Sequence, residues 1–219
     1  METKMMRARR ILAAATMVCC VSGAAPTLAA ENASLTQPQL ERVRQISDYV
    51  NSLTTLQGRF TQIGPGGNFT EGEFFLQRPG KIRFDYAPPN PVLVISDGWW
   101  VGIEDRKKKR TEKYPLATTP LSILLDDEVD LVADTKIVAF DESEDVVSLT
   151  LEDSVGTATG LLTLYFGKPD LSLQQWTVID AQGLQTEVSL FDLVKGGTFE
   201  QSLFRIDDNV TIDNGRGNK

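Results

Sequence analysis

Arg78 ends a row of large apolar side chains. Phe74, Leu76 and Arg78 alternate along one face of a strand pattern that runs straight into Pro79-Gly80. A guanidinium carries five N–H donors in a rigid fork and no acceptor. At the edge of an apolar surface it needs partners, because an unpaired buried charge is costly. Carbonyl groups left open at a helix end are suitable acceptors. Each such bond from a charged donor is worth about 1.5–3 kcal/mol. Two readings follow: a latch that fastens a covering helix, or a rim arginine with its head in water.

Little other chemistry is available. The chain has no histidine, and its two cysteines, Cys19 and Cys20, lie close to the start. His-assisted serine or cysteine triads and thiolate or imidazole metal sites are therefore excluded once the leader is gone. Carboxylate-only catalysis remains open. The clusters Asp126-Asp127-Glu128 and Asp141-Glu142-Ser143-Glu144-Asp145 flank apolar runs and read as solvated loops, without the spacing of a calcium loop. The expectation is a protein that is not an enzyme, with no catalytic residue, no metal and no cofactor.

The first 30 residues read as a secretory signal peptide. Arg7, Arg9 and Arg10 precede the apolar run Ile11 to Val21, and Ala29-Ala30 offers a cleavage site. Thr16-Met17-Val18 makes a poor lipidation box for Cys19. Without Lys4, Arg7, Arg9, Arg10 and Glu2, 18 basic and 29 acidic residues remain, a net charge of −11. Such a balance argues against nucleic acid as a partner and against rest on an anionic lipid surface. Residues 31–212 are expected to form one domain, large enough for its own core, with 213–219 a polar tail.

The elements that would position Arg78 are mostly strands. Leu40, Val43, Ile46, Val50 and Leu53 mark a helix over 37–56, with Thr36 and Gln39 as a capping box. Strands follow near 60–62, 71–78, 82–86, 92–95 and 99–103. Arg106 to Arg110 reads as a solvated turn, with a docking patch as the alternative. Residues 116–125, LATTPLSILL, form a short apolar helix in which Leu121, Leu124 and Leu125 share a face. Further strands are expected at 135–140, 146–152, 159–166, 172–179 and 184–192. Strand after strand with short loops implies an antiparallel, strongly curved sheet covered by helices.

The aromatic residues are concentrated. Eight of seventeen fall between Phe60 and Trp100, which calls for a dense core or an apolar ligand. If Pro79-Gly80-Lys81 is a three-residue loop, Arg78 pairs with Ile82 and shares a face with Phe74, Leu76, Ile82, Phe84 and Tyr86. Lys81, Arg83 and Asp85 then face water.

The run Arg78-Pro79-Gly80-Lys81-Ile82-Arg83-Phe84-Asp85-Tyr86, with Pro88-Pro89, Val94-Ile95-Ser96-Asp97-Gly98 and the upstream Phe60-Thr61-Gln62, resembles the periplasmic lipoprotein carrier family LolA. Thr119-Pro120-Leu121 and Asp180-Ala181-Gln182-Gly183 fall where that family has its lid helix and a late hairpin. The resemblance covers most of 38–206. It implies an incomplete antiparallel β-barrel under a helical lid that encloses a hydrophobic cavity for acyl chains. It also implies that Arg78 bonds to the lid and helps close the empty cavity. The expected cavity and lid residues are Phe60, Phe74, Leu76, Ile82, Phe84, Tyr86, Leu93, Ile95, Trp100, Leu121, Leu124 and Leu125. The implied partners are acylated lipoproteins, an inner-membrane lipoprotein-releasing ABC transporter and an outer-membrane lipoprotein receptor. The expected protein is a periplasmic monomer. Where the family commonly has prolines near its C-terminal end, this chain has Asp207-Asp208, so the family's docking contacts there are not carried over to this chain. The alternative is a half-barrel that binds another envelope lipid, or senses lipoproteins to regulate a partner.

Overall fold

A computed structural model describes residues 35–153, 160–180 and 182–207. The expected signal peptide, the polar tail, Ala181 and Asp208 lie outside the described residues. Among those described, no helix is long and apolar enough to cross a membrane.

Helix α1 spans Gln37–Ser52. Gln39 Oε1 accepts the Thr36 N–H at 2.8 Å, closing the first turn. Val43, Ile46, Val50 and the following Leu53 are buried along one stripe. The helix stops short of the expected residue 56. Thr55 already pairs with Gln77 in the sheet, and that ladder outcompetes another helical turn.

Among the described residues, eleven strands form one curved antiparallel sheet that does not close into a barrel. They are β1 Thr55–Ile63, β2 Phe69–Gln77, β3 Lys81–Tyr86, β4 Val92–Asp97, β5 Trp100–Asp105, β6 Arg110–Pro115, β7 Thr135–Glu142, β8 Val146–Asp153, β9 Gly160–Gly167, β10 Ser172–Asp180 and β11 Gln185–Lys195. Their order is β6-β5-β4-β3-β2-β1-β11-β10-β9-β8-β7. Two meanders are thus joined where the first strand pairs with the last. The free edges, β6 and β7, are consecutive in the chain. The connection between them carries a 3-10 turn at Leu116–Thr118 and the short helix α2, Ser122–Leu125.

The β2–β3 turn differs from expectation by one residue. Gln77 pairs with Lys81 and Leu76 with Ile82, so the loop is Arg78-Pro79-Gly80. Arg78 does not pair with Ile82. The pairing shifts by two residues, so the parity of the apolar row is unchanged, and Phe74 stands opposite Phe84 where the expected pairing would put it opposite Tyr86.

The opposite face of the sheet is not left to water. Phe75, Arg83, Ile95 and Gly102 are neighbours across β2 to β5. A C-terminal segment with a 3-10 turn at Gln201–Phe204 covers them, packing Phe199, Leu203, Phe204 and Ile206 against Phe75, Leu93 and Ile95. Arg83 Nη1 donates to Leu203 O at 3.1 Å, and Lys81 Nζ to Gln201 Oε1 at 2.6 Å. Gly102 permits the approach, since a Cβ there would lie 2.6 Å from Ile206 Cγ2. Asp85 is held by Arg83 at 2.9 Å and Arg106 at 2.7 Å. Burial raises its pKa, but those two arginines outweigh burial and leave it below the ordinary carboxylate value.

A latched apolar hollow as the candidate functional site

The concave face of the sheet, the buried stripe of α1 and the leucines of α2 meet in one apolar core. Phe60, Phe74, Leu76, Ile82, Phe84 and Tyr86 all face it and are buried. Their rings interlock. Phe60 meets Phe84 and Tyr86 edge-on at 5.0 Å; Phe84 stacks 6.1 Å from Phe74 and meets Trp176 edge-on at 5.9 Å. Tyr86 hydroxyl donates to Gln62 Oε1 at 2.6 Å. Burial pushes its pKa up to about 12, so it stays a neutral donor at ordinary pH.

Beside the ring cluster a small hollow remains. Phe74, Leu76, Ile82, Leu121, Leu124, Leu125 and Arg78, all named from the sequence, line it. Val50, Leu53, Leu56, Leu173, Trp176 and Leu190 complete the wall. These six were not foreseen as site residues. The stripe of α1 was visible, but the strands that bring Trp176 and Leu190 opposite it are more than a hundred residues away.

Three expected residues lie elsewhere. Leu93 and Ile95 are buried on the far side of the sheet, under the C-terminal segment. The register explains this: Phe84 pairs with Val94, which puts Val94 on the concave side and turns its neighbours outward. Trp100 is 46% exposed, on the same side as Gly102, while Val101 pairs with Ser96.

Arg78 bridges the elements that roof the hollow. Its Nη1 donates to Val50 O near the end of α1. Nη2 donates to Asn51 Oδ1 at 3.2 Å. Nε donates to Asp126 O at 3.1 Å, and Nη2 reaches both Asp126 O and, at 3.4 Å, Asp127 O just past α2. Val50 O also accepts the Leu53 N–H at 3.1 Å, so it serves both the end of α1 and the arginine. The apolar surroundings lower the guanidinium pKa from its ordinary value, and the nearby carboxylates of Asp126 and Asp127 oppose that shift.

The turn itself also holds the roof. Gly80 N–H donates to Leu125 O at 2.7 Å. Gly80 has φ +75°, and a Cβ there would lie 2.6 Å from Gly98 Cα. Gly80→Ala is therefore expected to destabilise the protein by more than about 1 kcal/mol, from the left-handed backbone alone. A urea titration with an unchanged midpoint would contradict this.

The free space is about 20 Å³, room for one water molecule. Ligand pockets usually measure about 300–1,000 Å³. An acyl chain can enter only if a wall moves. Leu125 separates the hollow from an open outer cleft of about 480 Å³ beside Pro79, Gly98 and Trp99, since it lines both. The connection around α2 is the wall held by few polar bonds.

The family model "Outer membrane lipoprotein carrier protein LolA" matches residues 51–207. An outer-membrane lipoprotein carrier protein from Halorhodospira halophila is 28% identical over 189 residues, covering 82% of this chain and 88% of its own. One from Pseudomonas paraeruginosa is 26% identical over 181 residues, 78% of this chain and 86% of its own. A solved LolA superfamily protein from Nitrosomonas europaea is 7% identical, with a TM-score of 0.44 over 77% of this chain and 98% of that one. With the fold and the match over residues 51–207 in hand, the chain belongs to the LolA family.

Proposed function

We propose that this chain is a periplasmic chaperone for acylated lipoproteins. It accepts them as they leave the inner membrane, shields their acyl chains and delivers them to an outer-membrane receptor. The observation that carries this reading is an apolar interior shut by a fork of hydrogen bonds from one arginine.

The physics of the cargo sets the requirement. Each exposed methylene costs about 0.8 kcal/mol, so several long chains amount to tens of kcal/mol in water. A soluble carrier must hide them, yet also give them up without a local energy source. A rigid, permanently open pocket would trap the cargo. Here the empty protein fills its own interior, so lid closure competes with the acyl chains and offsets part of their binding energy. Arg78 sets that balance in this reading. The expected surplus of acidic groups keeps a loaded carrier away from anionic bilayers.

A photoreactive residue at Phe84 or Leu124, activated in cells, tests the proposal. The expected product is a crosslink to an acylated lipoprotein. Crosslinks to free lipid alone would replace the proposal with the reading of a half-barrel for another envelope lipid.

A further inference from the structure

The loop after α2 is fastened to α1 by two side chains one helical turn apart. Ser47 Oγ donates to Val43 O and accepts the Leu131 N–H, both at 3.2 Å. Asn51, four residues on, lies on the same face of α1. Its carboxamide meets the backbone of Val129 at both ends. Nδ2 donates to Val129 O at 2.9 Å, and Oδ1 accepts the Val129 N–H at 2.9 Å. The same Oδ1 takes the bond from Arg78 Nη2.

Burial follows the same division. Val129 and Leu131 are buried, whereas Asp126, Asp127 and Glu128 are exposed. At the other end of the connection, the buried Leu116 donates its N–H to Trp99 O at 2.9 Å. Between these two fixed points, among the described residues, the polar ties from 117–128 to the sheet and α1 run to Gly80 and Arg78.

We infer that Asn51 is the post on which the lid turns: it holds Val129 in place while residues 117–128 swing away. The purpose of that motion rests on the carrier reading; the geometry does not. A residue at a pivot needs partners for its N–H and its C=O whether the lid is up or down, or it pays for leaving them unmet. A carboxamide is the side chain that supplies one donor and one acceptor side by side. Because Oδ1 also receives Arg78, the post and the fork share an atom. Without Asn51 the loop would peel off α1, drawing Val129 and Leu131 out of the core. Opening would then have no fixed stop. Asn51 is thus a positioning residue, acting through the backbone of Val129.

Hydrogen–deuterium exchange on the empty, full chain tests this. In the wild type, amides of 117–128 should exchange well before those of Val129 and Leu131. Asn51→Ala should speed exchange at Val129 and Leu131 by tenfold or more. Arg78→Leu should speed exchange at 122–128 and leave Leu131 unchanged. Asn51→Asp keeps the acceptor and loses the donor, so it should fall between wild type and Asn51→Ala; it carries the test if the alanine variant does not fold. Uniform exchange across 117–131 in the wild type, or unchanged protection of Val129 in a folded variant, overturns the inference. No cargo is present in this measurement, so it can fail while the crosslink succeeds, and the reverse.

Discussion

Arg78→Leu should leave the protein folded and able to load cargo, yet slow transfer to an acceptor by roughly tenfold or more. The sign follows from which state the arginine favours. Its fork joins Val50 and Asn51 on α1 to Asp126 and Asp127 beyond α2, and that arrangement exists only when the lid is down. On the carrier reading, cargo needs the lid up. Removing the fork weakens the competitor, so cargo is held more tightly. Even about 1.5 kcal/mol, the low end for one bond from a charged donor, corresponds to roughly tenfold in an equilibrium. The new leucine would also join Leu121, Leu124 and Leu125 as apolar lining. Arg78→Lys should lie between, because an ammonium cannot present a planar fork to several carbonyls. Release measured by pulling labelled lipoprotein from the carrier to receptor-bearing vesicles decides the matter. A folded Arg78→Leu protein that delivers at the wild-type rate would remove the arginine from the mechanism.

Phe84→Ala should be the most destabilising substitution in the ring cluster, by about 3–5 kcal/mol. Three aromatic rings, Phe60, Phe74 and Trp176, close on Phe84 from different strands. Nothing nearby can collapse into the gap without disturbing the others. Urea unfolding gives the number. The experiment also separates two pictures of the interior. A self-filled core loses the full amount, whereas a standing void would lose little, because the ring would already face empty space. A loss below about 1 kcal/mol would mean that the empty protein is open in solution.

Much of this arrangement was legible in the residues. The period-two row from Phe74 through Tyr86 fixed which side chains share a face, and it survived a one-residue error in the turn. The stripe from Val43 to Leu53 located α1, and the apolar face of Leu121, Leu124 and Leu125 located the roof. The misreadings have physical causes. Val92-Leu93-Val94-Ile95 is apolar throughout, so it carries no period that could tell one face from the other. It is apolar on both sides because the C-terminal segment buries Leu93 and Ile95 from behind, and nothing local in the run announces a cover about a hundred residues away. Strand β6, Arg110–Pro115, escaped notice because it is a free edge. Charged residues there discourage pairing with another chain, and they also erase the alternation by which strands are recognised. Trp100 was named among the cavity residues, but the register of β5 turns it to the other face.

The covering of β3 and β4 by residues 199–206 has a mechanical consequence. Those strands are packed on both sides, and β3 begins directly after the Arg78-Pro79-Gly80 turn. A bolt works only if it is mounted on the frame and not on the door. Residues 199–206 brace the frame from outside, so that on the carrier reading, if α2 lifts, the arginine stays where it was, ready to catch the returning carbonyls.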